Sequence, residues 1–153
     1  MITLKIHADV LAEIKARFAE DEHAGASQQE LTESSQMIFE SGGVLMGQDD
    51  CIERFIFDQG KADKSGEFVP DHHKVNKEIE VYSDQGFSFI GLIHSHMARR
   101  VLSHQDLIYA KSLMEANGID EIYMFLFIME SKELLGFHVN KNLQSIPITL
   151  STI

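Results

Sequence analysis

The sequence predicts an α/β fold: a mixed, mostly antiparallel β-sheet flanked by helices. Three observations predict it. The run Ile122–Met129 is almost continuously apolar and of strand length, as expected of a central strand buried on both faces. Segments with helical spacing of apolar residues alternate with short apolar runs along the whole chain. Finally, 44% hydrophobic and 24% charged residues in a chain of 153 suit a single globular domain that buries a real core.

Taken in order, Met1–Ile6 alternates like a short strand. From His7 to about Glu20, Val10, Leu11, Ile14 and Phe18 share one helical face. The stretch Ala24–Gln36 is small and polar, and reads as a loop or a short helix around Gln28–Ser34, with His23 exposed. A strand is expected over Met37–Met46, where Gly42-Gly43 marks either a close backbone approach or a bulge. Gly47–Asp50 turns into a strand over Cys51–Phe57. Gly60–Gly66 reads as a loop. Pro70-Asp71 opens a helix with Val75, Ile79 and Tyr82, or Lys74, Glu78 and Tyr82, at helical spacing and Gly86 as its stop. His72 and His73, at that helix start, read as polar surface or groove residues.

Beyond it, Phe87–Ile93 reads as a buried strand. Ser103-x-x-Asp106 starts a helix whose buried face is Leu107, Ile108, Ala110 and Met114 and which stops at Asn117-Gly118. Glu130–Glu133 turns the central strand into a return strand, Leu134–Val139, where His138 has a structural role. Pro147 places the tail Leu143–Leu150 at a sheet edge or outside the sheet.

The formal net charge of −11, with no block of lysine or arginine, argues against nucleic acid or an anionic membrane as partner. The acidity serves solubility or a basic partner surface. No signal-peptide pattern or bilayer-length apolar window is present, so a cytoplasmic location is expected. The single cysteine, Cys51, excludes an intrachain disulfide and reads as a small apolar packing group.

The chemistry concentrates in Gly91–Asp106. On a strand, His94 and His96 point the same way, with Cα atoms roughly 6–7 Å apart, and can converge on one ion. Ser95 then faces the opposite side. Asp106 supplies a third ligand if the chain turns back into a helix. Three protein ligands and an open position suit a catalytic zinc. The competing reading makes Ser103 an N-cap, Asp106 its helix-dipole partner and the histidines solvent-facing polarity. The two roles of Asp106 are compatible.

A second stretch bears on the choice. Glu40-Ser-Gly-Gly-Val-Leu-Met-Gly47 followed by His94-Ser-His96 and Ser103-x-x-Asp106 resembles the JAMM motif of the MPN/JAB-domain metalloproteases. Glu40, Gly43, Leu45 and Gly47 match that family's Glu-x-x-Gly-x-Leu-x-Gly strand. The chain departs from the pattern in a His96–Ser103 spacing one residue short and in Met97, where proline is common. The resemblance implies the MPN/JAB, cytidine-deaminase-like architecture. It also implies zinc on His94, His96 and Asp106, with Glu40 as general base and Ser103 as oxyanion donor. Its implied substrate is an amide bond after the Gly-Gly tail of a ubiquitin-like or sulfur-carrier protein. A non-catalytic MPN-type scaffold is the alternative. A zinc deaminase is a third reading, but its usual paired cysteines are missing.

Overall fold

A computed structural model describes residues 2–30, 41–59 and 72–153, with backbone only for 21–30 and 72. Seven strands among the described residues close into a barrel, in the order β1-β3-β2-β4-β5-β6-β7. The strands are β1 (Thr3–Ile6), β2 (Gly42–Gln48), β3 (Cys51–Asp58), β4 (Ser88–His96), β5 (Glu121–Ile128), β6 (Glu133–Asn140) and β7 (Ser145–Thr152). The helices are α1 (Ala8–Glu30), α2 (His72–Asp84) and α3 (His104–Asn117).

The closure corrects the expected open sheet flanked by helices. Strand β1 pairs in parallel with β3 through Lys5↔Cys51 and Ile6↔Ile52, and with β7 through four residue pairs from Thr3↔Thr149 to Ile6↔Thr152. One four-residue strand thus joins the two ends of the sheet and removes both edges. Period-two patterning assigns faces to each strand, but it does not say which strands pair.

The tail is likewise no edge, since β7 pairs on both sides. Pro147 fits because it sits opposite Phe137 of β6, before the pairing with β1 begins at Thr149. Its missing N–H therefore leaves no gap in the β1 ladder.

Alternation along β5 divides its apolar run between two cores. Phe125 and Phe127 join Leu4, Ile6, Leu45 and Ile93 against Val10, Ile14 and Phe18 of α1. Phe18 stacks on Phe127, with ring centroids 5.0 Å apart and planes at 10°. Ile122, Met124, Leu126 and Ile128 face the other way, against Ala110 and Met114 of α3. A third core places Val75 of α2 on Val44, Met46 and Ile56. Helix α1 runs on to Glu30, into a stretch for which a loop or a separate short helix around Gln28–Ser34 is expected. Ile108, expected on the buried face of α3, is 42% exposed, because the helix turns that position away from β5.

Glycine 43 is a close-approach site: a Cβ there would overlap the Ile56 carbonyl oxygen of β3. The irregularity in the β2–β3 ladder lies further on, between Met46 and Gly47. The turn between these strands uses Asp49 and Asp50, both with positive φ (50° and 62°), as a tight hairpin requires. Strands β4 and β5 are parallel neighbours, joined by α3 as the crossover. This βαβ unit places the helix N-terminus beside the C-terminal end of β4, where the histidines lie. No helix among the described residues is long and apolar enough to cross a membrane.

Candidate metal centre

His94 and His96 are the last alternate residues of β4, on the face that carries Leu92 toward α2 and α3. Both are buried, at 4% and 5% exposure. The reading of this pair as solvent-facing polarity is thereby excluded. Their Nε2 atoms lie 3.1 Å apart. Asp106 brings Oδ1 to 2.9 Å from His94 Nε2 and Oδ2 to 3.4 Å from His96 Nε2. A tetrahedral zinc with bonds of about 2.0–2.1 Å has ligand-to-ligand edges of about 3.3–3.4 Å. The three separations fall within a few tenths of an ångström of that range, so the group fits a zinc ion with small adjustments. His94, His96 and Asp106 form a set that could hold a metal.

Local structure explains the convergence. Ser103 caps α3, accepting from the Asp106 N–H at 3.1 Å, while Asp106 Oδ2 accepts from the Ser103 N–H at 2.7 Å. This reciprocal capping box locks the carboxylate at the helix start. Oδ1 meanwhile faces His94, so one side chain both caps the helix and offers a donor atom to the triad. Burial works to raise the Asp106 carboxyl. Hydrogen bonds from His94 and His96, the charge of His94 and the Ser103 amide outweigh it and hold the group well below the usual carboxylate range. Asp106 is therefore an anion at neutral pH.

The His96 ring is oriented by its other nitrogen. Nδ1 lies 3.1 Å from the Arg99 carbonyl, which can only accept, so Nδ1 carries the proton. In the neutral ring, the Nε2 lone pair then points at the centre of the triad, an arrangement common for metal-binding histidines. The loop that presents Arg99 is tied down by Met129 N–H to His96 O and Glu130 N–H to Met97 O, each at 2.8 Å. Arg100 adds a bidentate pair with Glu133 at 2.7 and 3.1 Å.

Some partners escaped the sequence reading. Ser95 does face away from the histidines, and there it grips Ser41. Its Oγ accepts from the Ser41 N–H at 3.0 Å, and its own N–H donates to Ser41 O at 2.7 Å. The entry to β2 is thus fastened to the strand carrying both histidines. Asp58, 2% exposed at the end of β3, was also missed, although an acid closing the apolar run Phe55-Ile-Phe57 was a visible signal. It lies in the same layer as His94, since Gly42 pairs with both residues. Tyr109 of α3 is pushed up to about 12 by burial and then by the Asp58 charge.

Asp58 and Tyr109 border a cavity of about 1150 Å³. His94, His96, Ser103 and Asp106 stand at one part of its lining, with Val75, Ile79, Leu92, Leu113 and Met124 forming apolar walls. Glu40 lies outside the described residues, as does the expected Gly60–Gly66 loop. His73, on α2, is exposed. His138 bonds Glu121 at 3.0 Å on the barrel exterior, a structural contact.

Comparison with solved structures gives a shared fold. A solution structure of a protein from Desulfitobacterium hafniense overlays at a TM-score of 0.65 with 18% identity, covering 99% of this chain and 94% of that one. The likeness is one of fold and carries no activity with it. A crystal structure of a JAB1/MPN domain protein from Archaeoglobus fulgidus overlays at 0.47, with 17% identity, over 97% of this chain and 99% of that one. A structure described as a metalloprotease-like zinc site, JAMM, in the proteasome and signalosome reaches 0.45, with 14% identity, over 97% and 98%. Overlays that loose do not bear on function. No family model matches the sequence, and no curated protein does.

Proposed function

We propose that this chain is a zinc-dependent hydrolase of the JAMM type, cleaving an amide bond after the Gly-Gly tail of a ubiquitin-like or sulfur-carrier protein. One observation carries the reading. Two buried imidazoles and a pre-ionised carboxylate meet at near-tetrahedral separations on the wall of a large cavity. The motif resemblance of Glu40, His94, His96, Ser103 and Asp106 supplies the reaction class.

His94, His96 and Asp106 would hold the ion. Zinc at such a site acts as a Lewis acid on the scissile carbonyl and lowers the pKa of water toward ~7. The chain's own groups do the rest. Glu40 accepts the proton of the attacking water and delivers it to the departing amine. The Ser103 oxygen is engaged by the Asp106 N–H, which leaves the hydroxyl proton available for the oxyanion. The Arg99 carbonyl and the Ser103 amide keep His96 and Asp106 in place, limiting reorganisation on loading. The apolar walls accept the chain next to the tail, while the small glycines let the scissile carbonyl reach the histidines. A cytoplasmic setting fits a substrate of this kind.

The test is a Gly-Gly-linked model substrate with purified protein, with and without chelator, alongside Glu40→Gln. The variant should bind one zinc at this centre as the parent does, yet lose about 10²–10⁴-fold in turnover. Turnover unaffected by chelation would reject the hydrolase. A protein that holds zinc but cleaves no such substrate would instead be the scaffold alternative.

A further inference from the structure

At the opposite end of β3 a second group of donors meets. Cys51 and Glu53 alternate on β3 and so share a face, and Ile52 between them points into the α1 core. The parallel register Lys5↔Cys51, Ile6↔Ile52 continues to place His7 beside Glu53 on that same face. The His7 N–H donates to Ile52 O at 3.2 Å, and the His7 carbonyl accepts from the N–H groups of Val10 and Leu11. The backbone of His7 is therefore pinned between the barrel and the first turn of α1. His7 Nε2 lies 3.6 Å from Glu53 Oε1. One ligand atom from each of His7, Cys51 and Glu53 falls within 4.8 Å of the others.

We infer that His7, Cys51 and Glu53 form a second divalent-cation site, of zinc type, that staples β1 to β3. One sulfur, one nitrogen and one oxygen donor suit a borderline-soft ion of variable geometry, and solvent completes the shell. Cys51 is buried, Glu53 is half-buried and the His7 side chain is 47% exposed. The imidazole therefore has room to close the last part of the distance, while the thiol and carboxylate are held by β3. Burial, followed by the charge of Glu53, raises the Cys51 thiol, with Lys5 opposing. A cation between the two groups removes that repulsion and favours the thiolate.

The site has a place in the fold. β1 meets β3 in only two register pairs, against four with β7, so this seam is the shorter closure of the barrel. An ion held by β3 and by the residue joining β1 to α1 clamps that seam. It stands apart from the cavity centre: Cys51 is seven residues along β3 from Asp58, roughly 23 Å at about 3.3 Å per residue.

Cobalt(II) tests the proposal cleanly, because Cys51 is the chain's single cysteine. A thiolate-to-cobalt charge-transfer band in the near ultraviolet can arise only at this site. Reduced full-length protein should give the band with Co²⁺ and lose it on adding Zn²⁺. His94→Ala should retain the band, which separates this site from the cavity centre. Cys51→Ser should abolish it, and His7→Ala should weaken cobalt binding by more than about tenfold. If Cys51→Ser does not fold, His7→Ala, with its exposed side chain, still decides. The site is overturned if the folded parent shows no such band, or if His7→Ala and Glu53→Gln bind cobalt with the parent's affinity.

Discussion

Two ends of one barrel carry donor triads, and they differ in how far each is organised in advance. At the C-terminal end of β4, every donor group is buried or nearly so, and two of the three are held by a partner outside the triad. Arg99 O orients His96, and the Ser103 N–H and the helix start fix Asp106. Near the start of β3, the triad has one buried donor and one imidazole about half exposed. The first arrangement suits chemistry, where reorganisation during a reaction is costly. The second suits a clamp, where adjustment on binding does no harm. The difference comes from the surrounding elements: the first triad borrows a helix cap and a loop, the second only two strands and a helix start.

Asp106→Ala should separate the ends most. It deletes a ligand and half of a capping box together. Zinc should be lost from the cavity centre by elemental analysis, along with all hydrolytic activity, and α3 should lose about 1 kcal/mol of stability in urea titrations. The cobalt signal at Cys51 should persist. Loss of both metals would show that the two ends are not independent.

Ser103→Ala comes next. The three ligands remain, so zinc content should hold, while turnover falls by about 10²–10³-fold and stability drops by about 1 kcal/mol. A variant with normal kcat and reduced stability would leave Ser103 as a cap alone.

The smallest effect is expected at Glu133→Gln. Arg100 and Ser131, through hydrogen bonds, hold the Glu133 carboxyl down at about 2. A carboxyl depressed on folding stabilises the native state above its unfolded pKa and loses that contribution as pH falls through the folded value. The parent should therefore exceed Glu133→Gln in stability above about pH 4.5, by a margin small for an exposed pair, and the two should converge as the pH approaches 2. A constant gap across that window would mean that the charge is not the cause. A few-fold rise in KM with unchanged zinc content would show that the pair also steadies the 97–102 loop.

Much of the local structure was legible from residue order alone. Ser103 and Asp106 announced a helix start, and the capping box is there. Asn117-Gly118 announced its end, where Gly118 takes φ of 64°. The apolar run at 122–129 announced a strand buried on both faces, and its alternate residues feed two cores. Other features were beyond reach. Ser95 was assigned a face but not its partner, because Ser41 is fifty-four residues away. The orientation of His96 depends on a carbonyl, that of Arg99, and any residue type supplies one. Helix α1 outran its apolar stripe, since Ala24–Glu30 forbids a helix no more than it demands one.

The order of residues by itself determined the strand and helix periods, the caps and turns, and the kinds of donor available, because these follow from torsional preference and short-range bonding. Only the tertiary structure decided that β1 would lie between β3 and β7, closing the barrel and bringing His7 beside Glu53. Only it decided that α3 would lay its first turn against the end of β4, setting Asp106 between two imidazoles. Pairings over such separations depend on which surfaces can be buried together. That is a property of the whole packed chain, and no short stretch of it carries the information.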